Sequence, residues 1–113
     1  MRIKVSEAQG PVLDWLVAKC EVGAEFICEI GDPHFYSTDW ALGGPILERE
    51  HLQPSFQEHG KYKGLWACNK WVEDRSGATV AIRQYGPTTL IAGMRCHVAS
   101  ELGDEAEVPE ELL

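Results

Sequence analysis

The order of apolar and polar positions divides the first third of the chain into short elements. Arg2 to Val5 alternates polar and apolar residues, which predicts a short strand. From Pro11 to Glu21 apolar residues recur on one helical stripe, and the proline suits the first turn of a helix. Residues 25–30 alternate charged and apolar side chains, so we expect a second strand there before a Gly-Asp-Pro turn.

The stretch from His34 to Glu50 has the least regular pattern. Good N-cap residues precede Trp40, so a helix can begin there. The sequence Gly-Gly-Pro at 43–45 opposes its continuation, because each glycine costs about 1 kcal/mol and proline about 3 kcal/mol in a helix interior. We therefore expect a short turn, a break, and a new helix that starts at Pro45.

A polar loop and a hairpin are predicted for the next part of the chain. Residues 51–64 are polar and contain one proline and two glycines, which is typical of a loop. Residues 65–72 and 79–85 are strand-like and are separated by turn residues, as in a hairpin. Because side chains alternate along a strand, Trp66 and Trp71 should point to opposite faces.

The clearest helix signal begins after Gly86-Pro87. Thr88 is a suitable N-cap, and an apolar stripe runs from Leu90 to Leu102 with Arg95 and Glu101 outside it. Gly103 is a suitable C-terminal stop. His97 is expected at the surface of this helix or as a satisfied edge residue.

Together these elements predict an α+β fold, with a small, mostly antiparallel sheet covered by about three helices. A length of 113 residues corresponds to one domain. We place the domain at residues 1–103 and an acidic C-terminal tail at residues 104–113. The net charge of −8 is uneven, since residues 101–113 contain six carboxylates and no basic residue.

Motifs for catalysis, metal binding or cofactor binding are not found in the sequence. The four cysteines contain no C-x-x-C pair and the four histidines have no ligand spacing, so we expect no metal site. There is no phosphate-binding loop, nucleophile elbow or H-E-x-x-H motif, which predicts a protein without enzyme activity or cofactor. The absence of a basic patch argues against nucleic-acid binding. Apolar runs are far shorter than the ~20 residues of a membrane span.

The segment from Tyr36 to Gly44 is the strongest candidate for a binding site, because it breaks helix rules without an evident packing benefit. An aromatic side chain there can stack on a base, glycine N–H groups can approach an anion, and a nearby arginine can pair with a phosphate. A simple helix break at the two glycines and an N-cap role for Asp39 are the alternatives. The residues predicted to bind a ligand are Tyr36, Ser37, Thr38, Asp39, Trp40, Gly43, Gly44, Arg49, Trp66, Thr88, Thr89 and Arg95.

Two long runs carry a resemblance to a known family. They extend from Tyr36 to Glu50 (YSTDWALGGPILERE) and from Gly86 to Ser100 (GPTTLIAGMRCHVAS), and shorter matches begin at Lys4 and Leu13. These runs resemble the NinX-like family, small accessory proteins of tailed bacteriophages and their prophages. The chain is also similar to the phage α-β-α sandwich domain. The resemblance covers nearly the whole chain and implies a phage origin, work in the cytoplasm of the bacterial host, and no enzyme activity.

Several functions are compatible with these expectations. The first is a binding module that antagonises host defence by sequestering a nucleotide-type small ligand. The second is an acidic inhibitor or adaptor that docks its tail and an outward tryptophan on a host protein. The third is a structural or self-associating phage protein, for which a homodimer is plausible. A hydrolase is the least supported, because no nucleophile–base pair can be built from neighbouring residues.

Overall fold

The structure, a computed structural model, describes residues 1–22 and 35–113. The strand predicted over residues 25–30 lies outside the described residues. The helices and strands, with two short 3-10 turns, are in chain order β1 (Arg2–Lys4), a turn at Val5–Glu7, α1 (Gly10–Val22), α2 (Trp40–Arg49), β2 (Gln53–Phe56), β3 (Trp66–Glu73), β4 (Thr79–Gly86), α3 (Thr89–Leu102), β5 (Glu105–Glu107) and a turn at Glu110–Leu112. The predicted α+β class is confirmed.

The strands form two antiparallel sheets. The larger has the order β2-β3-β4, and its β3–β4 hairpin runs in register from the pair Trp66–Gly86 to the pair Glu73–Thr79. The predicted hairpin is therefore confirmed, and Trp66 and Trp71 lie on opposite faces of it. The smaller sheet pairs β1 with β5.

Helix α3 is the centre of the domain. It packs against β3 and β4, and it also contacts α1 and α2. Every residue from Ala92 to Ala99 is buried, so this helix has no single apolar stripe that faces a single partner. The expectation that Arg95 lies outside the packed face is wrong, and so is the expectation of a surface position for His97: their exposed fractions are 8% and 2%.

Helix α2 differs from the prediction because it is continuous through both glycines and Pro45. Gly43 lies so close to neighbouring elements that an added Cβ would be 2.7 Å from Leu90 Cδ2 and nearer still to the carbonyl oxygen of Tyr36. Tertiary packing thus requires a glycine here and outweighs its low helix propensity. Pro45 has no N–H, so the carbonyl four residues earlier lacks its usual helical donor. Because Pro45 is exposed, this unpaired carbonyl lies on the exposed side of the helix.

The predicted loop over residues 51–64 contains a strand, β2, that the pattern did not indicate. All four of its residues are exposed, so no apolar alternation marks it. Pro54 is tolerated because β2 is at the edge of the sheet, where one row of N–H groups needs no partner.

The acidic C-terminal residues are part of the folded domain, and the boundary predicted at residue 103 does not mark the end of its packing. Ala106 and Val108 belong to the hydrophobic core. The carboxylates of Glu105 and Glu107 flank the core residue in β5 and form ion pairs with Arg2. No helix in residues 1–22 or 35–113 is long and apolar enough to cross a membrane.

Candidate functional site

Two helix N-termini and one end of the β3–β4 hairpin meet at the candidate site. Before α2, Asp39 acts as N-cap, and its Oδ1 accepts the N–H of Ala41 at 2.9 Å. Before α3, the Oγ1 of Thr88 accepts the N–H of Ile91 at 3.1 Å, as predicted for this cap. The first N–H groups of a helix have no intrahelical acceptor, so both ends present donors and a partial positive charge.

The turn before α2 is held in place by hydrogen bonds to a buried carboxylate. Ser37 is 1% exposed, and its N–H and Oγ both donate to Asp14 Oδ1, at 2.9 and 2.7 Å. Asp14 belongs to α1, so this contact ties the turn to a second element. Charge-assisted hydrogen bonds of this kind are stronger than neutral ones, which makes the turn a rigid support for the residues that follow it.

A cavity of about 340 Å³ lies between these elements. Its walls combine hydroxyl groups, apolar side chains and two indole rings, and they contain no charged side chain. The lining residues are Ser37, Thr38, Trp40, Trp66, Pro87, Thr88, Thr89, Leu90 and Ile91. Six of them were predicted to bind a ligand from the sequence: Ser37, Thr38, Trp40, Trp66, Thr88 and Thr89.

The two indole rings of the cavity differ in exposure. Trp40 is 58% exposed although it is the first residue of α2, so its ring is available to a ligand. Trp66 is half-buried against the core, and Phe56 packs edge-on against it with ring centroids 5.4 Å apart. The cavity therefore has one fixed aromatic wall and one that is open to solvent.

The other predicted residues do not line the cavity. Tyr36 is half-buried, and its pKa is raised by burial and by the carboxylates of Glu21 and Asp14. The remaining five are Asp39, Gly43, Gly44, Arg49 and Arg95, of which the first is an N-cap and the second a packing contact.

Neither arginine is placed to meet a phosphate in the cavity. The guanidinium of Arg95 is buried and donates to two backbone carbonyls, that of Ala8 at 2.8 Å and that of Tyr85 at 2.7 Å. Burial lowers its pKa. Arg49 instead binds both carboxylate oxygens of Glu21, at 2.8 and 2.7 Å, and Glu50 through its Nε at 2.8 Å. Both side chains stabilise the fold.

A second group of polar residues was missed by the sequence analysis. We call it the polar cluster and define it as Glu21, Arg49, Glu50, Lys70 and His97. Lys70 Nζ donates to Glu50 Oε1 at 2.8 Å, and His97 Nε2 is 3.1 Å from Glu21 Oε2. The hydrogen bonds from Lys70 and Arg49 lower the pKa of Glu50 to about 2, and the bond from Arg49 lowers that of Glu21.

One signal in the sequence points to part of this cluster. In the predicted hairpin, alternation places Lys70 on the same face as Trp66 and Cys68, and an inward lysine needs a buried anion. His97 and Glu101 are also spaced four residues apart on one helix, which brings their side chains together. The ligand atoms of Glu50, His97 and Glu101 indeed lie within 4.8 Å of one another.

The three described cysteines are buried or half-buried. Cys68 and Cys96 are fully buried, and Cys20 is half-buried; none of the three forms a disulfide. Burial, reinforced by the carboxylates of Glu101 and Glu21, raises the pKa of Cys20 to about 12. Because the thiolate is the nucleophilic form, this thiol is unreactive at neutral pH.

The comparison with protein families decides the relationship that the two long runs indicated. The family described as bacteriophage P22 NinX matches residues 4–101, a span that contains the cavity and the polar cluster. The chain belongs to the NinX family. No curated protein matches the sequence. Membership in this family fits the phage origin implied by the runs at Tyr36 to Glu50 and Gly86 to Ser100.

Proposed function

We propose that this member of the NinX family is a non-catalytic module that binds a nucleotide-type small ligand in the cavity beside Trp40. The observation that carries the proposal is the meeting of two indole rings, several hydroxyl groups and two helix N-termini around one cavity. In the setting of a phage infection, sequestering such a ligand in the host cytoplasm would antagonise a defence response that depends on it.

The size of the cavity restricts the ligand. Small-molecule sites have volumes of about 300–1,000 Å³, and a cavity of about 340 Å³ is near the lower end. This volume favours a mononucleotide over a dinucleotide. We take adenosine monophosphate as the probe, because it combines a planar base with one phosphate group.

The lining residues support a definite orientation of that probe. The exposed ring of Trp40 offers a face for the base, and base–aromatic stacking contributes about 1–3 kcal/mol. The hydroxyl of Thr89 and the N–H groups at the start of α3 that Thr88 does not cap suit the phosphate, since an anion at a helix N-terminus gains about 0.3–1 kcal/mol. Neither Arg49 nor Arg95 contributes in this arrangement.

Isothermal titration of adenosine monophosphate into the protein tests the proposal. The hairpin offers a matched control, because Trp71 is 56% exposed and lies away from the cavity while Trp40 is 58% exposed and lines it. We expect Trp40→Ala to weaken binding by about 1–3 kcal/mol, a factor of roughly 5 to 150, and Trp71→Ala to leave it unchanged.

Two results would contradict the proposal. One is equal binding by wild type and Trp40→Ala, which would place the ligand elsewhere. The other is no heat and no thermal shift with adenine, guanine, cytosine or uracil mononucleotides at high excess over folded protein. A parallel titration with adenosine separates the contribution of the phosphate from that of the base.

A second candidate function, docking on a host protein, is favoured by Trp71 itself. Its ring is more than half exposed on the hairpin, and large exposed aromatic side chains are enriched at contact surfaces. In this case Trp71→Ala, but not Trp40→Ala, would abolish a salt-sensitive interaction with a host protein in a pull-down. Light scattering of both variants would show whether the same ring instead mediates a homodimer.

A further inference from the structure

Three side chains outside the cavity have the composition of a metal site. Glu50 follows the last residue of α2, and His97 and Glu101 lie four residues apart on α3. One ligand atom from each lies within 4.8 Å of the other two. Donors bound at about 2.1 Å to one tetrahedral ion are roughly 3.4 Å apart, so the most distant pair of the group needs to approach by up to about 1.4 Å. The exposed side chain of Glu101 can supply this movement by a change of rotamer.

The imidazole of His97 carries an observation that an acidic cluster alone does not. The residue is 2% exposed, and its Nδ1 is buried without a hydrogen-bond partner in the described residues. A buried polar atom without a partner costs about 1–3 kcal/mol, so a ligand bound at this nitrogen would recover that cost. The other ring nitrogen, Nε2, is held by Glu21 Oε2 at 3.1 Å.

This division of the two nitrogens is the arrangement that metal-binding histidines use. A ligating histidine usually donates its second N–H to a carboxylate, which fixes the tautomer and the orientation of the ring. Glu21 is fixed in turn by the two hydrogen bonds from Arg49. With the proton on Nε2, the lone pair of Nδ1 is left for a cation.

The charges around the group also favour a cation. The group and the polar cluster together hold three carboxylates, those of Glu21, Glu50 and Glu101, and two bases, Arg49 and Lys70. One negative charge is therefore in excess when the imidazole is neutral. A divalent ion changes the net charge from one negative to one positive charge, whereas an anion would make it more negative.

We infer that Glu50, His97 and Glu101 bind a divalent transition-metal ion, with the imidazole of His97 as the nitrogen donor. One imidazole and two carboxylates are the donors that zinc accepts, and they disfavour magnesium, which prefers oxygen ligands alone. The site is separate from the cavity and does not depend on the proposed ligand-binding function.

Calorimetric titration of Zn²⁺ into untagged, chelator-treated protein tests the inference. We expect one ion per chain and no binding of Mg²⁺ under the same conditions. Glu101→Gln removes a carboxylate from the group at an exposed position, so the fold should be retained; we expect zinc affinity to fall at least tenfold. Glu48→Gln is the matched control, because Glu48 is exposed on α2 and is not a member of the group.

Two further measurements make the outcome decisive. Nitrogen NMR of the imidazole should show a ring-nitrogen resonance of His97 that shifts when zinc is added. Cys20→Ser should bind zinc as wild type does. The inference is overturned if wild type binds no zinc, if both glutamine variants bind equally, or if Cys20→Ser removes binding and thus assigns the ion to a thiol.

Discussion

The close approach at Gly43 gives the sharpest test of how the cavity is held together. An added Cβ at this position would lie 2.7 Å from Leu90 Cδ2 and even closer to the backbone oxygen of Tyr36. These two neighbours belong to opposite sides of the site: one precedes α2 and the other is in the first turn of α3. Gly43→Ala should therefore push the two walls apart.

The expected cost follows from two opposed contributions. Forcing a methyl group into a filled space costs about 1–3 kcal/mol, and the upper end applies because the carbonyl group is backbone and cannot rotate away. Alanine recovers about 1 kcal/mol of helix propensity. We expect Gly43→Ala to lower the free energy of unfolding by about 2 kcal/mol.

The next residue provides the matched control. A Cβ on Gly44 would be 3.5 Å from Trp40 Cε3, an ordinary contact. The gain of about 1 kcal/mol from helix propensity is reduced because a residue before proline disfavours the helical conformation. We therefore expect Gly44→Ala to be neutral or to stabilise by less than about 1 kcal/mol.

Urea denaturation of the wild type and both variants, followed by tryptophan fluorescence and circular dichroism, measures the difference. The midpoints should move in opposite directions or, at least, differ by an amount that corresponds to about 2 kcal/mol at an unchanged slope. Equal stability of the two variants would refute the reasoning, because it would mean that the turn at Tyr36 can move away from the added methyl group without a loss of stability.

Three further predictions concern residues that fix the fold around the site. Arg95→Met leaves one buried and one part-buried carbonyl group without their donor and should cost about 3 kcal/mol in urea denaturation. Thr88→Ala removes the N-cap of α3 and should cost about 1 kcal/mol by the same measurement. Removal of residues 105–113 deletes β5 and two core side chains, and should lower the free energy of unfolding by at least about 3 kcal/mol.

Each of these changes has a control with a defined result. Arg95→Lys keeps the charge but has only one donor group, so its cost should be smaller than that of methionine; equal costs would argue against the two hydrogen bonds. Thr88→Ser should behave as wild type. Like the truncation, Glu110→Gln together with Glu111→Gln removes negative charge, but only at exposed positions. This double variant should change the free energy of unfolding by less than about 0.5 kcal/mol.

Sequence patterns predicted those elements whose signals are local. The β3–β4 hairpin follows from alternation and from a turn in which Asp74 Oδ1 accepts the N–H groups of Ser76 and Ala78. Helix α3 follows from its caps, since Thr88 and Gly103 supply the groups that a helix end requires. In both cases the residues that decide the structure lie within a few positions of the element.

The failures have the opposite cause. Helix α2 contains two glycines and a proline, so local propensity predicts a break, but contact with Leu90 makes glycine the only fit at position 43. Strand β2 is exposed on both faces and is recognised only through its partner, β3. Such elements depend on neighbours that are distant in sequence, which a local pattern does not contain.

For the site as well, the sequence predicted some residues and missed others. Trp40 was predicted to stack on a base, Thr88 and Thr89 were predicted to bind a ligand, and all three line the cavity. The polar cluster instead gathers charged residues from the ends of α1 and α2, from β3 and from α3, and each of these residues alone is an ordinary surface or edge residue. For the same reason Arg95 was assigned to a phosphate: its burial is set by two carbonyl groups that it meets only after folding.

The central position of α3 has a consequence for the order in which the domain opens. This helix is enclosed by β3, β4, α1 and α2, so its backbone amides reach solvent only when several elements separate. Hydrogen exchange should therefore be slowest from Ala92 to Ala99, where it reports global unfolding, and much faster in the exposed strand β2. Leu90 and Ile91 form one wall of the cavity, and they belong to the helix that unfolds last.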